Sequence, residues 1–471
     1  RQLLEQEVTY ANLSGSVYEL PAGSLGVAIG WEGRTERGDY LSSPIDYLSG
    51  AAPDSLTRSS YVGDIGGAYE VDATYFEVSV PLVGGSMNIP FVDSLVLDFS
   101  GRNIDNNLAG SYDVEATSIA WRVTDDISIR ASEQTAVKAP AIGSLFQPQI
   151  TSYAFARPDP CDFRYRGTGR APDVREANCL AEGLSPDFVS IAVNASVQGL
   201  SGGNPNLENE LGETSSVGLI YQPSWFADVL VGDLSFSADY IKINLDDYIT
   251  SFSLGQNLIA CYDFEDYPNR YCDNFQRDAD GQIVYWEAGL VNAGLIEFAT
   301  YIWNADYLVD ASELISFVTR DNVATDLGSF AVRWRAYQQV YYLDAASGDP
   351  DDLVDTTGEF GNDEWFYDTT IEYRYNDFYA YLVGNSRSGG KINVFQQYDD
   401  QYLDLDGNPI SEFKGYTFWN AGFGYQVNDG LSLRLIFNNV MDYDGTEDVF
   451  TREADIISVG RTVTAGFNWR F

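Results

Sequence analysis

Along most of the chain, apolar residues fall at every second position. In "LGVAIGWEGRTE", Leu25, Val27, Ile29 and Trp31 share one face, while Gly26, Ala28, Gly30, Glu32 and Arg34 share the other. In "DISIRASEQ", Ile127, Ile129 and Ala131 oppose Ser128, Arg130 and Ser132. "LSFSADY" sets Leu234, Phe236, Ala238 and Tyr240 against Ser235, Ser237 and Asp239, and "SFAVRWRAY" sets Phe330, Val332, Trp334 and Ala336 against Ala331, Arg333 and Arg335. The final "GRTVTAGFNWRF" places Val463, Ala465, Phe467, Trp469 and Phe471 on one face up to the last residue. A period of two belongs to strands, whose side chains alternate between faces, and not to helices. The predicted fold is therefore all-β.

A soluble β-sandwich would show the same alternation. Three features favour a transmembrane antiparallel β-barrel instead. The segments run to roughly ten residues or more, as tilted membrane strands must. The 32 Tyr, 26 Phe and 9 Trp are plentiful, and many fall near segment ends, where interfacial girdles lie. Connections also alternate in length. Short turns rich in Gly, Pro, Asn or Asp occur at 21–24, 124–126, 375–377 and 427–430. Long connections are expected at 37–67, 103–113, 138–212, 246–294, 343–363, 389–412 and 440–456. Short periplasmic turns and long outer loops characterise outer-membrane barrels, and the pattern gives roughly fifteen strands. Bacterial barrels usually have even strand numbers, so the odd count predicts missing upstream strands.

Composition narrows the chemistry. The 471 residues carry 27 basic and 70 acidic side chains, a net charge of −43. No basic patch exists to displace counterions from a nucleic acid, so that partner is excluded. There is no His, which removes imidazole bases, the His-dependent nucleophiles and most zinc sites. No metal or other cofactor is predicted. No run of eighteen apolar residues is present that would cross a membrane as a helix. The chain starts at Arg1, without Met or a signal-like segment, and reads as a processed or partial product. Cys161 and Cys179 share one irregular stretch and Cys261 and Cys272 another. Two local bridges are the simplest of the three possible pairings and imply an oxidising exterior; four unpaired thiols are the alternative.

Several strings then resemble the TonB-dependent outer-membrane receptors. "QTAVKAPAIGSLFQP" (134–148) is similar to that family's strand-end segment with an Arg-Ala-Pro core, with Lys138 in the Arg place. "GNPNLENE" (203–210) resembles the family's "GNPNLKPE", "IFNNVMDYD" (436–444) its "NNLFD" motif, and the last twelve residues its terminal strand. The resemblance implies a single barrel domain over 1–471, with about 14 to 15 of the family's twenty-two strands, counted by the same pattern, and with plug and coupling box absent. It further implies the outer membrane of a Gram-negative bacterium, with outer-membrane lipid, the TonB complex in the full-length protein, and the barrel-assembly machinery as partners. The terminal Phe467, Trp469 and Phe471 would be that machinery's signal. The expected function is binding of a small-molecule ligand, a ferric siderophore or an oligosaccharide, on outer loops and its TonB-powered import, with no enzymatic activity. A passive porin-like channel and a surface adhesin are the alternatives. The chain alone is expected not to transport, and to form an open wall edged by Thr9–Leu20 and Gly460–Phe471.

Candidate site residues follow from placement. Tyr153, Phe155, Tyr262, Phe264, Tyr285, Trp286 and Trp365 lie in long loops, where they could stack on sugar rings or catecholates, or pack the loops together. Glu32, Arg34, Arg122, Arg130, Arg333 and Arg335 fall on the polar face and would form a charged inner wall, binding water or a plug rather than ligand. "RDADGQIVYWE" matches a calcium loop at Asp278, Asp280, Gly281, Ile283 and Glu287, but Gln276 occupies the first ligand position, so Asx and Gly turns are expected there and at 404–408 and 442–445. The pairs Asp125–Asp126 and Asp399–Asp400 sit in turns without a defined pocket, which argues against acid–base chemistry.

Overall fold

Strands adjacent in sequence pair antiparallel, one after the next, into a single sheet. The computed structural model describes residues 2–40, 65–85, 87–147, 150–156, 158–169, 171–345, 353–359, 361–391, 412–443 and 460–470. Among the described residues the sheet holds nineteen strands. Four short ones, Ile150–Ala154, Val197–Gly202, Phe275–Arg277 and Val354–Asp355, belong to connections, and fifteen form the wall. These are β1 (Gln2–Leu20), β2 (Gly23–Tyr40), β3 (Ile65–Val83), β4 (Ser94–Asn106), β5 (Gly110–Arg122), β6 (Ile127–Lys138), β7 (Glu210–Tyr221) and β8 (Asp233–Ser251). The wall continues with β9 (Ile283–Asp310), β10 (Ser329–Ala345), β11 (Trp365–Tyr375), β12 (Phe378–Arg387), β13 (Tyr416–Asn428), β14 (Leu431–Asn438) and β15 (Thr462–Trp469). Among the described residues five helices interrupt the connections: α1 (Ile142–Phe146), α2 (Pro172–Ala181), α3 (Ser224–Leu230), α4 (Leu254–Tyr262) and α5 (Ala311–Thr319). Among the described residues no pairing joins β1 to β15, so each is an edge. The first edge runs from Gln2 rather than from the expected Thr9.

The registers carry one apolar face across the wall. Ile29 pairs with Phe76, Val78 with Phe99, Leu97 with Ile119, Ile129 with Leu219 and Ala238 with Trp303. Trp334 pairs with Ala305, Ile371 with Leu382, and Phe423 with both Ala380 and Leu435. Leu433 finally faces Phe467. Many of these side chains are exposed, Phe467 at 72% and Ile29 at 52%. An apolar belt of this extent must meet lipid, because its exposure to water would cost about 25 cal/mol for each square ångström. Toward the loop end the same outward positions become Glu115, Glu133, Glu213 and Lys242, which marks where the belt stops.

Turn-end connections include the tight pairs 21–22, 376–377 and 429–430. Asn376, at a φ of 48°, supplies the left-handed turn between β11 and β12. The expected long loop at 103–113 is instead a hairpin turning at 107–109, where Asn106 Oδ1 accepts from the amides of Leu108 (2.9 Å) and Ala109 (3.1 Å). Beyond the belt the outward face of β4 and β5 turns polar, with Asn103, Asp105, Ser111 and Asp113, so the apolar stripe that marks a strand is lost there. Three turn-end connections, 84–93, 222–232 and 311–328, are not short, and the last two carry α3 and α5. The loops expected at 37–67, 389–412 and 440–456 lie largely outside the described residues, as do Asp399, Asp400, 404–408, 444–445 and Phe471.

The opposite face is polar, and a segment folds back onto it. Tyr69 and Val71 share this face with Glu36 and Arg34, and they are buried beneath Leu145 of α1 and Leu207. Ile104 on β4, Ile249 on β8 and Leu290 on β9 pack around the same cluster. One segment touches strands this far apart only across the concave side of a curved wall, so the polar face is the inner one. Gly38 and Gly67, paired in register, make the room: a side chain on either would collide with Ile142 or Phe146 of α1. Both "KAPAIGSLF" and "GNPNLENE" therefore serve this docking. Asn204 Nδ2 donates to the Leu290 carbonyl (2.9 Å), and Asn292 Oδ1 accepts from the Glu208 amide (2.8 Å).

Candidate functional site

The two longest loop-end connections, 139–209 and 252–282, fold together into a cap with its own core. Leu254, Leu258 and Tyr262 of α4 pack with Leu184, Phe188, Phe275 and Trp286, and α2 lies against α4. A Ser253 cap starts α4: its Oγ accepts from the Gln256 amide (3.3 Å), while Gln256 reaches back to the Ser253 amide (2.9 Å). Disulfides join Cys161 to Cys179 and Cys261 to Cys272, each within a single connection.

Two buried ion pairs add to that shared core in tying one connection to the other. Arg175 on α2 forms a two-pronged pair with Asp263 just after α4, its Nε donating to Oδ1 at 2.6 Å, and its Nη1 donates to the Tyr165 carbonyl (2.8 Å). Arg277 makes a second such pair with Asp159, at 2.8 and 3.1 Å. All four side chains are buried. Arg277 Nε also donates to the Tyr262 hydroxyl (2.9 Å) and Nη1 to the Gly281 carbonyl (2.8 Å). Burial is the largest single influence on Arg277 and would lower its pKa, but the charge and hydrogen bonds of Asp159, with those of Tyr262, together outweigh it and hold the guanidinium more firmly protonated than usual.

Tyr262 is pushed up to about 12, chiefly by burial, with Arg277 opposing part of the shift. A phenol whose folded pKa exceeds its unfolded value of about 10 contributes stability that is complete below that pH and lost as pH rises through the folded value. Alkaline titration between pH 10 and about 12 is therefore expected to loosen the cap by up to about 3 kcal/mol. Tyr262→Phe should remove this loss while costing about 1 kcal/mol at neutral pH for the missing hydrogen bond. Amide exchange of α4 against pH measures both; identical profiles for the two chains would contradict the assignment.

The structure sorts the sequence-predicted aromatics. Tyr262 and Trp286 are core residues, at 0% and 4% exposure, the Trp286 indole donating to the Val197 carbonyl (2.9 Å). The expectation of ligand contact is corrected for these two, because the cap's own side chains cover their rings. Phe264 packs against the same core. Trp365 opens β11 opposite Gln338 and belongs to the wall. Tyr153 and Phe155 are exposed, at 61% and 48%. Tyr153 pairs with Gln198, and Glu287 with Leu200, in a small sheet formed by Ile150–Ala154, Val197–Gly202 and the start of β9. Period-two alternation puts Tyr153, Gln198, Tyr285 and Glu287 on its outer face, with the Tyr285 hydroxyl donating to Glu287 (2.9 Å). Two aromatic rings, an amide and a carboxylate thus share one accessible surface. Gln198 had no signal in the sequence, being one polar residue in an irregular stretch.

Below the cap, continuous registers place Glu32, Arg34, Arg122, Arg130, Arg333 and Arg335 on the inner face. Most meet opposite charge. Glu32 pairs with Arg102 (3.1 Å), Arg34 with Glu36 (3.6 Å), and Arg333 with Glu372 (3.1 Å) and Asp306 (3.8 Å). Arg130 reaches Asp239 two strands away at 2.8 Å through both Nε and Nη2, across Gly218, where any side chain would collide with both groups. Arg122 pairs with Asp93 (3.3 Å) and Asp125 (2.8 Å), and Asp126 accepts from the Ser224 amide (3.1 Å) at the start of α3. The Asp125–Asp126 pair is thereby accounted for without catalysis. At 278–282, Asp278 Oδ1 accepts from the amides of Asp280 (3.0 Å) and Gln282 (2.9 Å), an Asx turn leading into β9.

A family model described as TonB dependent receptor-like, beta-barrel, matches residues 5–440. A double mutant of the ferric enterobactin receptor PfeA from Pseudomonas aeruginosa superposes with a TM-score of 0.57 at 13% identity, covering 100% of this chain and 54% of that one. The siderophore receptor PirA from Acinetobacter baumannii gives 0.55 at 13% identity, with 99% and 55% covered. PirA from Pseudomonas aeruginosa gives 0.52 at 12% identity, with 100% and 57% covered. The chain spans about half the length of these structures, and at such identity the likeness shows the fold alone. No curated protein sequence matches it.

Proposed function

The chain belongs to the TonB-dependent receptor family, matched over residues 5–440, and on that premise we propose that it is the barrel wall of an outer-membrane receptor that captures a small ligand at its cap and admits it along the charged inner face. The family is one of receptors rather than enzymes. The observation that carries the reading is the outer face of the cap's small sheet, where Tyr153 and Tyr285 flank Gln198 and Glu287 above a polar, ion-paired wall. Import driven by the TonB complex, placement in the outer membrane through the barrel-assembly machinery, and the role of Phe467, Trp469 and Phe471 in assembly are proposed for the whole receptor. The solved relatives named for siderophores make a ferric chelate one candidate and the stacking aromatics make an oligosaccharide another.

Charge separates ligand classes within that reading. The cap spends Arg175 and Arg277 in buried pairs, and the chain as a whole is at −43. A field of that sign slows the approach of polyanions, so an uncharged oligosaccharide or a neutral or cationic ferric chelate is favoured over an anionic ferric catecholate. Calorimetric titration with one probe of each kind tests this. One of the first two is expected to bind, and Tyr153→Ala or Tyr285→Ala to weaken it about tenfold, near 1.4 kcal/mol. Tightest binding of the anionic catecholate, indifferent to both substitutions, would overturn the assignment.

A further inference from the structure

The connections 222–232 and 311–328 do not hang free below the wall; they fold onto its outer, apolar side. On α3, Trp225 Nε1 donates to the Tyr221 hydroxyl (2.9 Å), and the Phe226 ring stacks edge-on against Tyr307 at 5.8 Å between centroids. The Tyr307 hydroxyl donates to the Val231 carbonyl (3.1 Å). The Tyr373 hydroxyl donates to the Leu327 carbonyl (2.7 Å), which brings the end of the α5 connection to the same side. Tyr221, Tyr307 and Tyr373 are all outward by register, paired with Ile127, Leu234 and Phe330.

Both helices then turn apolar side chains away from the protein. Trp225 and Val229 of α3 and Ile315, Phe317 and Val318 of α5 are exposed, Val318 at 71%. The polar residues of α5 ask little of water. Ser316 Oγ donates to the Ser312 carbonyl (2.7 Å) and Thr319 Oγ1 to the Ile315 carbonyl (2.8 Å), so both hydroxyls are satisfied within the helix. Glu313 alone in α5 carries a charge; it lies about 140° round the helix from Val318 and on the side of Phe317, so the apolar face is centred on Ile315 and Val318. The patch is continuous with the belt that the fold gives to lipid.

We propose that α3 and α5 form an interfacial collar, lying along the boundary between headgroups and acyl chains of the leaflet at the turn end. Trp225, Val229, Ile315 and Val318 sink toward the acyl region while the carboxylates of Asp228 and Glu313 reach the headgroups, as in amphipathic interfacial helices. Lipid is the occupant because the exposed side chains border the belt itself, with the outward Tyr221 and Tyr307 joining the two surfaces.

The proposal rests on the wall standing in a bilayer, and the experiment separates the two. The four cysteines are all in disulfides, so the full chain in phosphatidylethanolamine–phosphatidylglycerol nanodiscs can carry one nitroxide at Val318→Cys, Glu313→Cys or the mid-belt Leu219→Cys. Collisions with oxygen, which partitions into acyl chains, are compared with those of a water-soluble nickel chelate. The collar predicts a ratio of oxygen to nickel collisions several-fold higher at 318 than at 313, approaching that at 219. Water exposure at 318 with lipid exposure at 219 overturns the collar alone. Protection of 318 from both reagents also overturns it, since a second copy of the chain would then cover the helix. Water exposure at 219 removes the membrane reading and the collar with it.

Discussion

Asp263→Asn is expected to loosen the cap by about 3 to 5 kcal/mol, the usual cost of stranding one member of a buried ion pair. Arg175 would keep its bond to the Tyr165 carbonyl but lose the carboxylate that balances its charge, in a site closed to water. An amide in that position offers one acceptor and a donor that faces the guanidinium. No covalent bond compensates, since Cys161–Cys179 and Cys261–Cys272 each close one connection and neither crosses to the other. Hydrogen exchange should quicken in α2 and α4 while the wall strands keep their protection, because the cap has a core separate from the belt. The double change Arg175→Met with Asp263→Leu should recover most of the loss, having removed both charges. Unaltered exchange in Asp263→Asn would show that the pair does not hold the two connections together.

Leu219→Arg is expected to cost about 2 to 4 kcal/mol for folding into lipid, and Ser216→Arg far less. The two positions are three residues apart on β7 and face opposite ways: Leu219 lies between Ile129 and Ala238 on the belt, whereas Ser216 touches Ser132 on the inner wall at 2.8 Å between hydroxyls. Composition is changed equally, so the contrast isolates the face. Urea-dependent folding into phospholipid vesicles reads it directly. Equal costs at both positions would mean that the sheet does not separate lipid from an aqueous interior.

The wall was legible in the sequence because lipid on one side and water on the other impose a strict two-residue period. The segments containing Leu25–Trp31, Ile127–Ala131, Leu234–Tyr240 and Phe330–Ala336 are all strands with the expected faces outward. Legibility fails where that contrast ends. Residues 103–106 and 110–113 extend a hairpin beyond the belt and read as loop because their outward face is polar and only Ile104 and Tyr112 are apolar on the other. Helices α3 and α5 were missed because a one- or two-turn helix lying on an apolar rim has no long repeat to detect. The cap was the least legible part. Its ion-pair partners are 88 and 118 residues apart, and no local pattern distinguishes the buried rings of Tyr262 and Trp286 from the exposed one of Tyr153.

On β6 the outward apolar run is only Ile127, Ile129 and Ala131 before Glu133 takes the next outward place. That run covers roughly 13 Å of strand, against the roughly 25 Å band that surrounds such barrels. Charge cannot sit deep among acyl chains, so the bilayer must adapt along this side of the wall. Acyl chains beside β6 and β7 are compressed, and the membrane is locally thinner there than beside β2, where Leu25 to Trp31 run further before the polar boundary. This flank of the wall is therefore expected to favour short-chain or disordered lipids against it over the longer chains that suit β2.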